Sequence, residues 1–446
     1  MTRRWQWQLR EKGKIVTPLT TTMRHAIAIG SMAALIAASA VACGGDEGSG
    51  GTTDELTGRG PITLAQGKDT SGNLQRQIND WNAQHPNEKV RLIELPEDAD
   101  GQRQQMVQNA QAKSDAYTVL ALDVVWTAEF AANRWITRLP ENQFNLGSLL
   151  PPTVKTAQYR NRLYAVPFKT NAGLLFYRTD LLEQAGLDEP PKTWSEMTSA
   201  CDKVKDEGVA CYGGQFEKYE GLTVNFSEAV HSAGGVVVND QGAPNVNTPQ
   251  AKQGLDFLAQ GFKSGRIPKS AITFKEEEAR REFEKGGLFF LRQWPYQWAL
   301  SNKKGDSKVV GKFDVAPLPG ANGPGAPTLG GYNLAISSFG KNKATALDFI
   351  KFLTDEQRQR QNLLATSEAP TLASLYDDAE LQKKFPYLPV LKQSLLNARP
   401  RPVVVRYGDV TEAIQENAYA ALSGTKTTDQ ALADMQAKLT ELTKQQ

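Results

Sequence analysis

Histidine is nearly absent: there are three in 446 residues, His25, His85 and His231, none close to another. No imidazole-built metal centre is therefore expected, and nothing in the chain calls for a cofactor. Cysteine is equally scarce, with Cys43, Cys201 and Cys211 alone and none in the C-x-x-C spacing of zinc or thiol-redox sites. The nucleophile elbow, the phosphate-binding Gly-rich loop and the H-E-x-x-H zinc helix are all missing, which removes the common signatures of serine hydrolases, nucleotide hydrolases and zinc proteases. After residue 42 no run approaches the roughly 20 apolar residues of a membrane span. Concentrated positive charge is lacking too. Six Lys/Arg and one Asp/Glu fall in the first 42 residues, leaving 45 basic against 48 acidic side chains in the remainder. Such a surface does not suit nucleic acid, whose phosphates need clustered cations.

What is present begins at the front. An apolar run from Ala26 to Ala42 follows Arg24 and His25, ends in Ala40-Val41-Ala42, and stops at Cys43 before the tract Gly44 to Gly51. That is a secretory leader covering 1–42, with the start at Met1 or at Met23, and it is excluded from fold reasoning. The cut resembles a bacterial lipobox. It implies a diacylglycerol thioether on Cys43, anchoring the mature chain to the extracytoplasmic face of a cell membrane through a flexible linker over 43–60. Outside the cytoplasm, Cys201 and Cys211 are expected to form a disulfide.

From Pro61 the pattern alternates. Strand-like Pro61 to Ala65, Val90 to Leu95 and Tyr117 to Leu122 are separated by helical spacing at Leu74, Ile78 and Trp81 and by the helix formers Gln102 to Lys113. The β-α-β-α-β rhythm predicts a parallel sheet under helices. A second region opens at Gly173 to Tyr177, and Thr193 with Glu196 predicts a capping box. Helices are expected over Ala251 to Phe262 and Lys275 to Lys285, a buried strand over Gly286 to Leu291, and a loop over Gly320 to Gly330. Tyr332 to Ser337 then predicts a strand, and Thr354 with Gln357 a second capping box.

Near the ends of these strand patterns an acid or amide recurs beside an aromatic: Gln66 to Asp69, Asp123 to Trp126, Phe168 to Asn171, Trp294 to Tyr296, and Gly330 to Asn333. Ligands of α/β sheets bind at that edge. A pyranose suits such a set, because its C–H face packs on an aromatic ring while its hydroxyl rim needs acceptors and forked donors. Each residue also has a plainer reading: Trp126 as core, Asp123 as the cap of a helix near Thr127, Glu220 as a surface charge.

The stretches Leu163 to Leu182, Gly330 to Ser337, Arg292 to Tyr296 and Ala398 to Val403 together resemble the extracellular solute-binding proteins of sugar ABC importers, of trehalose/maltose type. The resemblance implies an α/β, two-lobe periplasmic-binding-protein-like fold of type II, with crossings near 166–172, 331–337 and 368–373. The first lobe would hold 61–168 plus 334–370 and the second 169–333 plus 371–446. It also implies ligand contacts from Lys68, Asp69, Asp123, Trp126 and Asn171 on one side. Tyr219, Glu220, Trp294, Tyr296, Gly330, Gly331 and Tyr332 would face them, with Arg401 or Arg399 as the forked donor. The expected function is capture of an α-glucoside by a monomeric receptor, without catalysis, for delivery to ABC permease subunits. The rivals are a glycoside hydrolase using Asp69 and Asp123, and a binder of another solute in the same fold.

Overall fold

A computed structural model describes residues 56–69, 71–239 and 241–444. The leader, the alternative start at Met23, the acceptor Cys43 and the tract as far as residue 55 lie outside the described residues. Residues 56–60, expected in the flexible linker, are docked: Arg59 pairs with Glu88 at 3.0 Å and Asp348 at 2.7 Å. The Gly60 N–H also donates to Thr345. Opposite charges on two neighbouring elements end the tether earlier than composition suggests. Among the described residues no helix is long and apolar enough to cross a membrane.

The strands run in chain order β1 (Ile62–Gly67), β2 (Val90–Leu95), β3 (Val119–Asp123), a short pair β4 (Gln158–Tyr159) and β5 (Arg162–Leu163), β6 (Ala165–Ala172), β7 (Leu174–Arg178), β8 (Ala210–Gly213), β9 (Leu288–Gln293), β10 (Phe313–Ala316) and β11 (Leu329–Ile336). Beside the two-stranded β4-β5 sheet two larger sheets form, ordered β2-β1-β3-β11-β6 and β10-β7-β9-β8. The predicted β-α-β-α-β rhythm forms the parallel part of the first sheet, with β1 between β2 and β3. β11 and β6 then close it antiparallel. β3 is buried along its whole length because neighbours flank it on both sides and helices cover it, so an unbroken apolar run is what its position demands.

The loop expected over Gly320 to Gly330 ends sooner, since β11 already begins at Leu329 and carries Gly330 and Gly331 inside the ladder. Gly331 has φ +120° and its missing Cβ would fall on the Lys169 carbonyl and 2.7 Å from Thr170 Cα. The glycines there permit close strand approach, where composition alone suggests a turn.

Helices Asn73–Gln84, Ala99–Gln111 and Lys343–Thr354 cover the first sheet, and Glu356–Thr366 packs on the first and last of these. Beside the second sheet, Glu220–Ser232, Pro249–Ser264, Tyr407–Leu422 and Thr428–Thr443 pack on one another, and Glu276–Glu284 lies on β9. The chain passes between the sheets at Gly173, again over 317–328, and last over 398–406, where Arg399 forms a bridge beside Thr328. The second passage thus precedes the expected 331–337, which lies almost wholly within β11, and the third differs from the expected 368–373. That stretch stays with the first sheet, bridging Thr170 to Ala369 and Leu149 to Leu372, and helix Leu388–Asn397 after it packs on β6. An extended segment looks the same in sequence whether it crosses or merely edges a sheet.

The capping box at Thr193 and Glu196 forms in both directions, each bond 3.1 Å. The second is displaced. Thr354 closes the preceding helix by donating to Ile350 O at 2.8 Å, and Asp355 takes over as cap, accepting from Arg358 N at 2.7 Å. A hydroxyl in a last turn finds its own i−4 carbonyl first.

Cys201 and Cys211 are bonded, with Cα atoms 5.3 Å apart, joining the end of helix Trp194–Lys203 to β8. Closing this short loop should contribute roughly 2–3 kcal/mol. The Cys201→Ser/Cys211→Ser double variant should unfold at correspondingly lower urea, and reductant should shift the wild type but not the variant. Equal midpoints in all four samples would refute a structural role.

Candidate functional site

The site grows from the carboxyl end of β3. Asp123, its last residue, sits opposite Tyr332 of β11. Its Oδ1 accepts from Val125 N and from Arg401 Nη2 at 2.5 Å, and its Oδ2 from Arg401 Nη1 at 3.2 Å. Arg401 comes from the third passage and is 2% exposed. The same Nη1 donates to Glu220 Oε1 at 2.6 Å, so one guanidinium spans a carboxylate from each lobe.

Glu220 opens helix Glu220–Ser232, where an acid suits the positive end of the helix dipole. It also accepts from the Tyr407 hydroxyl and, at 2.7 Å, from Thr411 Oγ1. Burial pushes the Glu220 carboxyl up to about 7 against the pull of Arg401, with Asp123 and Asp100 adding to the rise. Arg401 Nε is buried without an acceptor. A donor left free beside two carboxylates fits a hydroxyl-bearing ligand, because an unmet buried N–H is costly.

The aromatic side of the site is built on β9 and β11. Trp294 follows β9 and lies against Gly330, whose missing Cβ would be 2.9 Å from the indole. Tyr219 donates to Glu276 at 2.6 Å and Tyr296 to Glu277 at 3.0 Å, which fixes both rings. Burial pushes the Tyr332 hydroxyl pKa up, with the charges of Asp123, Glu276 and Glu368 adding to the rise against the pull of Arg401. Trp294, Tyr296, Tyr332 and Asn171 keep part of their surface open. The Asn171 amide makes no side-chain hydrogen bond among the described residues and pairs through its backbone with Gly330.

Several expected contacts lie elsewhere or act differently. Asp69 accepts from Ser71 N, Ser71 Oγ and Leu74 N, forming the turn that starts helix Asn73–Gln84. Burial would raise its pKa, but the Ser71 hydroxyl, the Leu74 N–H and the Lys169 charge together hold it below the usual carboxylate range. Lys68 beside it is exposed. Trp126 is 1% exposed, one of the largest enclosed side chains, and so offers no open face for stacking. Asp123 does not cap the helix Thr127–Ala132, whose N-terminus has no side-chain cap. Arg399 is exposed and contributes its backbone to the bridge with Thr328, so Arg401 is the arginine that meets Asp123. Gly331 serves strand approach, as above.

Other residues gather here without a sequence cue. Tyr407 and Thr411 complete the Glu220 shell, and Gln102, in the first turn of helix Ala99–Gln111, lies beside Gly67 with a buried Oε1 that meets no donor. Only Arg292 had a legible signal. It stands two positions before Trp294, and a strand puts such residues on one face. No cluster of three or more His, Cys, Asp or Glu suited to a metal occurs among the described residues.

With this geometry described, comparison with known proteins gives consistent matches. The family model for bacterial extracellular solute-binding proteins matches residues 65–360. A probable ABC transporter-binding protein of Deinococcus radiodurans is 33% identical over 364 residues, covering 79% of this chain and 86% of that one. The solved structure of maltose-bound MalE3 of T. maritima aligns with TM-score 0.82 at 35% identity, covering 86% of this chain and 99% of the other. The GacH receptor of Streptomyces glaucescens, solved unliganded and with acarbose, aligns with TM-score 0.76 at 21% identity over 86% and 99% of the two chains, a likeness of fold.

Proposed function

The chain belongs to the bacterial extracellular solute-binding protein family, and from that premise we propose that it captures an α-glucoside of the trehalose or maltose type between its lobes and delivers it to an ABC permease. In this reading the protein is a lipoprotein held at the membrane through Cys43 and acts as a monomer. What supports it is that the partly exposed Tyr332 lies opposite Asp123 of the Asp123–Arg401–Glu220 network, with the partly exposed Trp294 ring against the neighbouring Gly330. Rings take the apolar sugar face, while Asn171, the carboxylates and Arg401 Nε take hydroxyls. Because the polar groups come from both lobes, the ligand favours the closed arrangement by its difference in affinity for the two states.

A hydrolytic reading fits less well. Glycoside hydrolysis needs a carboxyl that can give up a proton to the leaving group. Asp69 is held ionised and committed to a helix start, and Asp123 is forked to Arg401. Both carboxylates are occupied by these contacts.

Titration calorimetry with trehalose, maltose, maltotriose and cellobiose tests the proposal. At least one α-linked sugar should bind, and Trp294→Ala should weaken it about tenfold or more, the loss expected for a stacking contact of roughly 1.4 kcal/mol. If none of the four sugars binds while an amino acid or polyamine does, the sugar reading fails.

A further inference from the structure

The polar network beneath Trp294 is not among the groups proposed above to touch ligand, and it ties that ring to the hinge. Arg292, 1% exposed, forks onto Glu228 with bonds of 2.6 and 2.8 Å and donates to Gln215 Oε1 at 3.1 Å. Its guanidinium carbon lies 3.8 Å over the Trp294 ring. Glu228 Oε1 in turn accepts the Thr328 N–H at 3.0 Å, at the entry to β11. Gly173, the residue of the first passage, packs so close that a Cβ would overlap Glu228 Oε1 and lie 3.0 Å from Arg292 Nη2. One buried ion pair therefore touches two of the three passages and supports one face of the indole.

Burying two charges is poorly repaid as stability, since an apolar pair of similar volume often does as well. A planar fork, however, fixes orientation in a way that apolar packing does not. We propose that Arg292 and Glu228 are positioning residues, which set the plane of Trp294 and register it to the hinge. As far as binding is concerned this rests on Trp294 being a sugar plate. The orientation of the ring itself does not.

The test is a double-mutant cycle with Arg292→Lys and Trp294→Ala, using maltose as probe. Lysine keeps the charge and loses the fork and the stack. Arg292→Lys should weaken maltose about tenfold in the wild-type background and less than about twofold once Trp294 is gone, because contacting residues do not act additively. Equal losses in both backgrounds would mean a merely structural role and overturn the inference.

A ligand-free arm keeps the inference separate from the sugar reading. The wild-type minus Trp294→Ala difference in near-ultraviolet circular dichroism isolates the Trp294 band. Arg292→Lys should alter that band and change nothing in the Trp294→Ala background. An unaltered band refutes the positioning role even if maltose never binds, whereas an altered band sustains it whichever solute the protein captures. Should Arg292→Lys fail to fold, Glu228→Gln, which keeps an acceptor oxygen, goes through the same cycle.

Discussion

Arg401→Met should destabilise the protein by about 3–5 kcal/mol near pH 8, the cost of removing one partner from a buried charge cluster, and by clearly less at pH 5. The guanidinium sits between Asp123 and Glu220 with almost no solvent contact, so methionine fills the space but leaves two carboxylates facing each other. The pH dependence follows from Glu220, whose folded pKa of about 7 lies above its ordinary 4.5. Between those values the folded state binds more protons than the unfolded chain, so wild-type stability falls as pH rises through that window. That share is at most about 3 kcal/mol. Without Arg401 the pull toward ionisation is gone, the Glu220 pKa climbs further, and the penalty both deepens and extends above pH 7.

His231 contributes the opposite slope. Burial, aided by Arg399, pushes it down to about 4, so stability is lost as pH falls from 6.5 toward that value. Because His231 is common to both proteins, it cancels in their difference. Urea midpoints at pH 5 and pH 8 should therefore show a wild-type-to-variant gap that widens with pH. A gap independent of pH would mean that Glu220 does not depend on Arg401. Sugar binding should be lost at both values, since the guanidinium that joins Asp123 to Glu220 has been removed.

The second large effect should come from Gly331→Ala, which changes one methyl group. At φ +120° any side chain is strained, on the order of 1–3 kcal/mol, and the new Cβ meets Lys169 O and Thr170 Cα, backbone atoms of β6 that cannot turn aside. Overpacking adds about 1–3 kcal/mol more. The site lies where β11 and β6 shift register: Tyr332 faces Lys169 and Asn333 faces Pro167, leaving Phe168 over as a bulge. Gly330→Ala supplies the contrast. Its Cβ would meet only the outer edge of the Trp294 ring, a side chain, while Asn171 Cβ at 3.5 Å is an ordinary contact. Gly331→Ala is thus expected to lower the urea midpoint sharply, and Gly330→Ala to weaken sugar binding while nearly keeping the midpoint. Equal stability of Gly331→Ala and wild type would show that the close approach of β11 to β6 is wrong.

The first sheet's strands at Ile62, Val90 and Val119 were legible because each is an apolar run bounded by helical spacing, a signal carried by neighbours in sequence. The same holds for the capping box at Thr193, where donor and acceptor are three residues apart. Glycine was misleading at Gly330 and Gly331, since a residue that permits a turn also permits close strand packing and only the partner strand decides between them. Thr354 misled in a similar way, its hydroxyl having a nearer carbonyl than the helix it seemed to cap.

What the amino-acid order determined by itself was the alternation of strands and helices, the scarcity of histidine and cysteine, and the recurrence of acids beside aromatics near strand ends. Tertiary structure alone decided which of those residues meet. Asp123, Glu220 and Arg401 lie far apart along the chain, and nothing local distinguishes the forked carboxylate Asp123 from the helix-starting Asp69, or the enclosed ring of Trp126 from the open one of Trp294. The reason is physical: burial and ionic pairing are set by what the fold brings within a few ångströms, and those partners come from distant segments whose approach no local pattern encodes.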